Sequence, residues 1–311
     1  MSEYRFYSVY GERLASTLPL PELDEIPAGP ARWTATVVDE LPEMRDGTLL
    51  GADLLYEEVH ARLFQHADGH RIVVDDTGEF DLSRDRRSVA ICPKAGSWPD
   101  FVRAHFTGRV LATALYLDGM LPLHGSSVAT GDGVIGFLAP KGFGKSTLAL
   151  ALARAGAWLL SDDTLPLEIG TGRAWPGLHG LRVHEDSLAA VGMAGAHMKT
   201  REGKHVITEV GTERLFLRPM PVSALYLLVP VEPGATATER FAMPPALAAI
   251  SVVAHVKIGR MLGPAEAPTM LARSADIVQR AKVYQLTVPR ELAKLPATAR
   301  QILEWHGMPK P

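Results

Sequence analysis

One stretch leaves this chain few choices of fold. Residues 134–147 read VIGFLAPKGFGKST, an apolar run, a turn carrying Gly142 and Gly144, and then Lys145-Ser146-Thr147. Leu148, Leu150, Ala151 and Leu152 continue as an apolar helix that Gly156 closes. The order is therefore strand, turn, helix. A helix start leaves unpaired N–H groups and the positive end of its dipole facing whatever anion the turn admits. The stretch reads as a phosphate-binding loop of the G-x-x-x-x-G-K-[ST] kind, with Ala139 in place of the first glycine.

In that reading the nucleotide-binding set is Lys141, Gly142, Phe143, Gly144, Lys145, Ser146 and Thr147. Backbone N–H groups from Gly142 to Lys145 hold the β-phosphate of ATP, Lys145 bridges β- and γ-oxygens, and the Ser146 hydroxyl completes a Mg²⁺ shell. Thr147 reads mainly as a helix residue. The opposing reading, a chance Gly-Lys-Ser at the start of a surface helix, is countered by the residues beyond Gly156. A second apolar run, Ala157-Trp158-Leu159-Leu160, ends in Ser161-Asp162-Asp163, which places carboxylates at the carboxyl edge of a sheet. Consecutive strand residues face opposite sides, so Asp162 and Asp163 do not both point at a nucleotide unless the strand has ended. Either is also an ordinary turn or cap residue. His124, just ahead of the apolar run, reads by itself more readily as a buried structural histidine than as a functional one.

Composition removes several classes of function. A net charge of −3 over 311 residues offers no bulk attraction for nucleic acid or an anionic membrane surface. The longest apolar stretches, Val110–Leu117 and Ala224–Val231, fall short of the ~20 residues needed to span a bilayer. The single cysteine, Cys92, forms no intramolecular disulfide and fits a reducing cytoplasm. His60, His66 and His70 read as solvated residues of a strand-and-turn stretch rather than as metal ligands.

Along the chain, strand-like pieces at 4–10, 33–38, 61–64, 71–74, 78–82 and 88–92 are separated by Gly and Asp turns, so residues 1–95 read as a small β-rich domain. The period changes at Trp98–Leu117, where Phe101, Val102, Phe106, Val110, Leu111, Ala114 and Leu115 mark a helix. Residues 96–311 form the second domain. Beyond the central stretch a short strand at 181–184, a charged loop at 199–204, a strand at 222–231, helix over most of 244–262, helix at 270–281, a strand at 283–288 and a closing helix at 290–305 are expected. Arg182 is the preferred member of a basic rim with Lys199, Arg201, Lys204 and His205, since its strand is expected to return near Asp162 and reach a substrate.

His124-Gly125, the loop ending Gly144-Lys145-Ser146, and Asp162-Asp163 together resemble the catalytic core of HPr kinase/phosphorylase and its relatives. The spacing is similar too: Lys145 lies 21 residues after His124, and Asp162 lies 17 after Lys145. The resemblance implies an α/β fold with a P-loop kinase core of the HPr kinase and phosphoenolpyruvate-carboxykinase-like type beside the β-rich N-terminal domain. It implies Asp162 as the base that takes the proton of a serine hydroxyl and as a Mg²⁺ contact, with His124 orienting that carboxylate. The likeness is specific over 123–167. Where bifunctional members carry a Glu-Ile-Arg-Gly type signature, this chain has Gly177-Leu178-His179-Gly180, which argues against phosphorylase activity. Its opening, with Leu18-Pro19-Leu20-Pro21, is similar instead to HPr-kinase-like proteins of lasso peptide biosynthesis, which phosphorylate the C-terminal serine of a precursor peptide.

These readings converge on an ATP- and Mg²⁺-dependent serine kinase acting on a peptide or small protein, compatible with a homo-oligomer. Its rivals are an HPr-type protein kinase, a small-molecule kinase acting for example on free serine, and a nucleotide-binding regulator that transfers no phosphate.

Overall fold

The computed structural model describes residues 3–178, 180–193, 198–199, 205–207, 218–229, 237–289 and 291–308. It is a mixed α/β structure that divides into two compact units, residues 1–122 with 257–270, and residues 123–256 with 271–311. Residue 95, where the sequence places its domain boundary, falls inside the first unit.

The first unit is built on eight strands: β1 (Arg5–Val9), β2 (Glu12–Ser16), β3 (Trp33–Val37), β4 (Thr48–Tyr56), β5 (Val59–His66), β6 (Gly69–Val74), β7 (Gly78–Ser83) and β8 (Ser88–Pro93). They form one sheet in the order β1-β2-β3-β8-β7-β6-β5-β4. Alternating burial along β7 gives a one-sided hydrophobic face, with Phe80 and Leu82 inward beside Leu63, Ile72 and Ile91. β2 and β4 have no counterpart among the expected strands. Two register shifts interrupt β4, between Leu49 and Gly51 and between Leu54 and Tyr56, which erases the period-two signal. His60 and His66 sit in β5 and His70 in β6, so the three histidines lie on paired strands, and His66 is not solvated but paired with Asp81 at 2.8 Å. The helical run expected at 98–117 is present as α1 (Pro99–His105), a π turn (Phe106–Val110) and α2 (Leu111–Leu117).

After β9 (Leu121–Leu123) the chain forms β10 (Gly125–Thr130), β11 (Gly133–Leu138), α3 (Lys145–Arg154), β12 (Trp158–Ser161), β13 (Leu165–Glu168) and β14 (Arg173–Ala174). There follow β15 (Leu181–Val183), α4 (Glu185–Ala190), β16 (Met198–Lys199), β17 (His205–Ile207), β18 (Met220–Val229), β19 (Glu239–Ala242) and α5 (Pro245–Val253). The chain ends with α6 (Gly259–Leu262), α7 (Ala267–Arg280), β20 (Lys282–Thr287) and α8 (Leu295–His306). Of these, α6 belongs to the first unit, where the backbone of Arg260 and Met261 lies so close to Gly51 that a Cβ there would stand 2.5 Å from the Arg260 oxygen.

The second unit centres on three parallel neighbours, β11, β18 and β20; on one side β10 runs antiparallel to β11 and β12 antiparallel to β10, and on the other β19 runs antiparallel to β20. Every residue of β11 is buried, as a strand covered on both faces requires. Its alanine- and leucine-rich neighbour α3 buries Leu148 through Ala153, and the alanines let the helix lie close to the sheet. β10 carries no strand signal in the sequence, because its buried Ser126 and Ser127 break any apolar pattern. Among the described residues, no helix is long and apolar enough to cross a membrane.

A polar chain crosses this core. Arg240 donates to the Tyr226 hydroxyl (3.0 Å), and that hydroxyl pairs with His306 Nε2 (2.6 Å). Burial, and then the Arg240 guanidinium, push His306 from 6.5 down to about 4. The unfolded chain therefore binds a proton that the folded chain refuses between those values, and stability falls as pH drops from about 6.5 toward about 4. The limit for such a group is about 1.4 kcal/mol per pH unit. Urea midpoints measured at successive pH values across this window should fall, and less steeply in His306→Gln, which keeps an acceptor for Tyr226 and cannot titrate.

Candidate active site

The site lies in the second unit, where β11 ends and α3 begins. Gly144 is the residue ahead of the helix, with φ +83°, and no side chain caps the first turn. Gly142 also has a positive φ, +89°, which a residue with a Cβ adopts only with strain. A Cβ at either glycine would meet nothing within 4 Å, so both face open space. The turn thus presents a helix start with no side-chain cap, and the positive end of a ten-residue helix, beside open space.

Lys145 folds back over this turn. Only 6% exposed, it donates from Nζ to the carbonyls of Ala139 (2.8 Å) and Pro140 (3.1 Å). Its third contact is His124 Nε2, at 3.1 Å. Lysine only donates, so Nε2 accepts and the ring proton sits on Nδ1, which donates to the Asp163 carbonyl at 3.1 Å. His124 thus joins the turn to the end of β12.

The Asp pair resolves in an unexpected way. β12 ends at Ser161, Asp162 makes an isolated bridge to Leu178, and Asp163 takes a left-handed φ of +65°. The reversal lets the two residues serve different partners. Asp162, 2% exposed, accepts on Oδ1 from the Ser146 hydroxyl at 2.9 Å and from the Ser126 hydroxyl. Asp163 turns to His124, with its carboxylate 3.5 Å from Nδ1. The Asp162 backbone is fixed by its N–H to the Leu178 carbonyl, 2.8 Å, and Gly177 donates to Leu160, 2.9 Å. Only glycine fits at 177, since a Cβ would stand 2.3 Å from that of Ser161.

The other members of the expected set are more scattered. Lys141 is exposed at the rim, Phe143 packs at the edge of the core, and Thr147 bonds Ser187 of α4 at 3.0 Å, away from the turn. Arg182 lies on β15, which pairs within a separate three-stranded sheet of order β15-β17-β16. The segment that reaches Asp162 is Leu178 instead. The side chains of Arg182, Lys199 and His205, and residues His179, Arg201 and Lys204 entirely, lie outside the described residues.

Two residues escape the sequence reading. Ser126 is the first; β10 carries no apolar alternation, so nothing local marks it. His255 is the second. Its carbonyl accepts the His124 N–H at 2.7 Å, and Leu123 bridges Val256, so the end of α5 is fastened to the start of β10. Burial, then the charge of Lys145 and the proximity of His124, lower His255 from 6.5 to about 4. No local pattern marks a histidine so far along the chain.

The oxygen pair Ser146 and Asp162 is the donor chemistry that a hard divalent cation prefers, and Mg²⁺ beside phosphates needs only one or two such protein groups. Among the described residues, no group of three or more His, Cys, Asp or Glu gathers to ligate a metal. The residues present fit a Mg²⁺-nucleotide.

No family model matches the chain, and no curated protein matches it. Among solved structures, a similar one is the HPr(Ser) kinase/phosphatase from Coxiella burnetii, 14% identical, with 60% of this chain and 95% of that chain covered and a TM-score of 0.31. An overlap of that size carries no weight for activity.

Proposed function

We propose that the chain is an ATP- and Mg²⁺-dependent kinase that moves the γ-phosphoryl group to a serine hydroxyl of a peptide or small protein. The observation that carries this reading is the contact of Asp162 with Ser146 at the start of α3, beside a turn whose two glycines face open space. A phosphate-binding turn alone is met in many nucleotide binders. A buried carboxylate on the serine of that turn is what a Mg²⁺-dependent nucleoside-triphosphate enzyme adds, and the proposal assigns it proton transfer as well.

In the proposed reaction the amides of 142–145 cradle the phosphates, and Lys145 leaves the Ala139 and Pro140 carbonyls for their oxygens. Mg²⁺, held by Ser146 and Asp162, supplies charge neutralisation when bound. Asp162 takes the proton of the acceptor hydroxyl, the hydroxyl oxygen bonds to the γ-phosphorus, and the bond to the β,γ-bridging oxygen breaks with its electron pair leaving on ADP. His124 keeps Lys145 and the end of β12 in register.

For the acceptor, the opening segment supports the C-terminal serine of a lasso precursor peptide. Mass spectrometry after incubation with ATP and Mg²⁺ tests both levels. Peptides ending in serine should gain one phosphate on that residue, ahead of peptides with an internal serine, an HPr-type protein and free serine. Tight nucleotide binding with phosphate on none of them would favour the regulator.

A further inference from the structure

We propose that Ser126 is a positioning residue for Asp162, holding the carboxylate in place while Ser146 engages the metal and nucleotide. The inference rests on the kinase reading of this site. Ser126 and Ser127 are consecutive in β10 and face opposite sides of the sheet. Both are fully buried, yet their hydroxyls have different partners: Ser126 donates to Asp162 Oδ1, while Ser127 pairs with the Ser161 hydroxyl at 2.7 Å. Asp162 Oδ1 thus accepts two hydroxyls whose surroundings differ.

Ser146 stands on the first turn of α3, partly exposed, where a cation drawing its oxygen would turn its proton away from the carboxylate. Ser126 stands on an inner strand paired to β11 and β12, at 0% exposure, with no solvent to turn toward. Once Ser146 is committed to the metal, the Ser126 hydroxyl still fixes Oδ1. Proton transfer then falls to Oδ2, whose direction is set by the fixed oxygen. Losing this donor removes one of the bonds that orient the carboxylate, a loss of transition-state geometry more than of nucleotide binding.

The test is a double-mutant cycle on the full chain with Mg²⁺, ATP and a serine peptide. Ser126→Ala should lower kcat about 10- to 100-fold, as expected for a hydrogen bond to a charged group, with KM for ATP within about 3-fold. Ser127→Ala, equally buried, should keep kcat within about 2-fold. In an Asp162→Asn background, Ser126→Ala should cost less than about 2-fold, because the group it positions no longer takes the proton. A readout without turnover is the Mg²⁺ concentration that half-saturates nucleotide binding, which should rise in Ser126→Ala and not in Ser127→Ala. If the alanine variant does not fold, Ser126→Cys, similar in shape with a weak donor, should give an intermediate kcat. Additive losses in the cycle, or equal effects at 126 and 127, overturn the proposal. Absence of any phosphoryl transfer by the wild-type protein is a different outcome, which removes the kinase reading itself.

Discussion

Asp162→Asn should lower turnover by roughly 10²–10⁴-fold while nucleotide still binds. The amide is nearly isosteric and its oxygen still accepts from Ser126 and Ser146, so the local fold is kept. Under the proposed reaction, the variant loses the capacity to take a proton and a negative charge that would stand beside Mg²⁺. Nucleotide affinity measured without Mg²⁺ should stay within about 3-fold of the wild type, and the Mg²⁺ requirement should rise. Asp163→Asn is the comparison that assigns the base. The contact of Asp163 with His124 runs first through its main-chain carbonyl, which the substitution leaves alone. Steady-state kinetics on the two variants should therefore differ by at least about 10-fold. An equal loss, or a larger one at 163, would reassign the base.

Lys145→Ala should weaken nucleotide binding about 30- to 150-fold, the scale of one charge-assisted contact of about 2–3 kcal/mol. Its ammonium rests on two carbonyls of the turn, and in the proposed complex would exchange them for phosphate oxygens at little cost in motion. Isothermal titration with ATP reads the change. Lys145→Arg should not restore affinity, since a planar fork does not fit the pocket made by Ala139, Pro140 and His124. Unchanged affinity in the alanine variant would place the phosphates elsewhere.

Much of the site is legible in the sequence because it is local. The apolar run before Ala139, the glycines 142 and 144 and the helix formers after Lys145 lie within one continuous stretch, and the structure shows strand, turn and helix there. Helices at 99–117 and α7 are equally visible through their period. What stays hidden is non-local. The left-handed Asp163, which turns two consecutive carboxylates to different partners, depends on the Leu178 bridge and on Gly177 packing against Ser161. His255 comes to the site through a backbone bond to a residue over a hundred positions away. In the first unit, bulges hide β4, and the return of residues 257–270 to that unit has no local signal at all.

The most direct measurement of the central claim is ³¹P NMR of the wild-type protein with Mg²⁺, ATP and a peptide ending in serine. The γ-phosphate resonance of ATP should decline as phosphoserine and ADP resonances grow in equal amounts, and in Asp162→Asn the same exchange should slow in proportion to that variant's loss of turnover. ATP that stays intact although bound, or that yields inorganic phosphate alone, would contradict phosphoryl transfer to a serine at this turn.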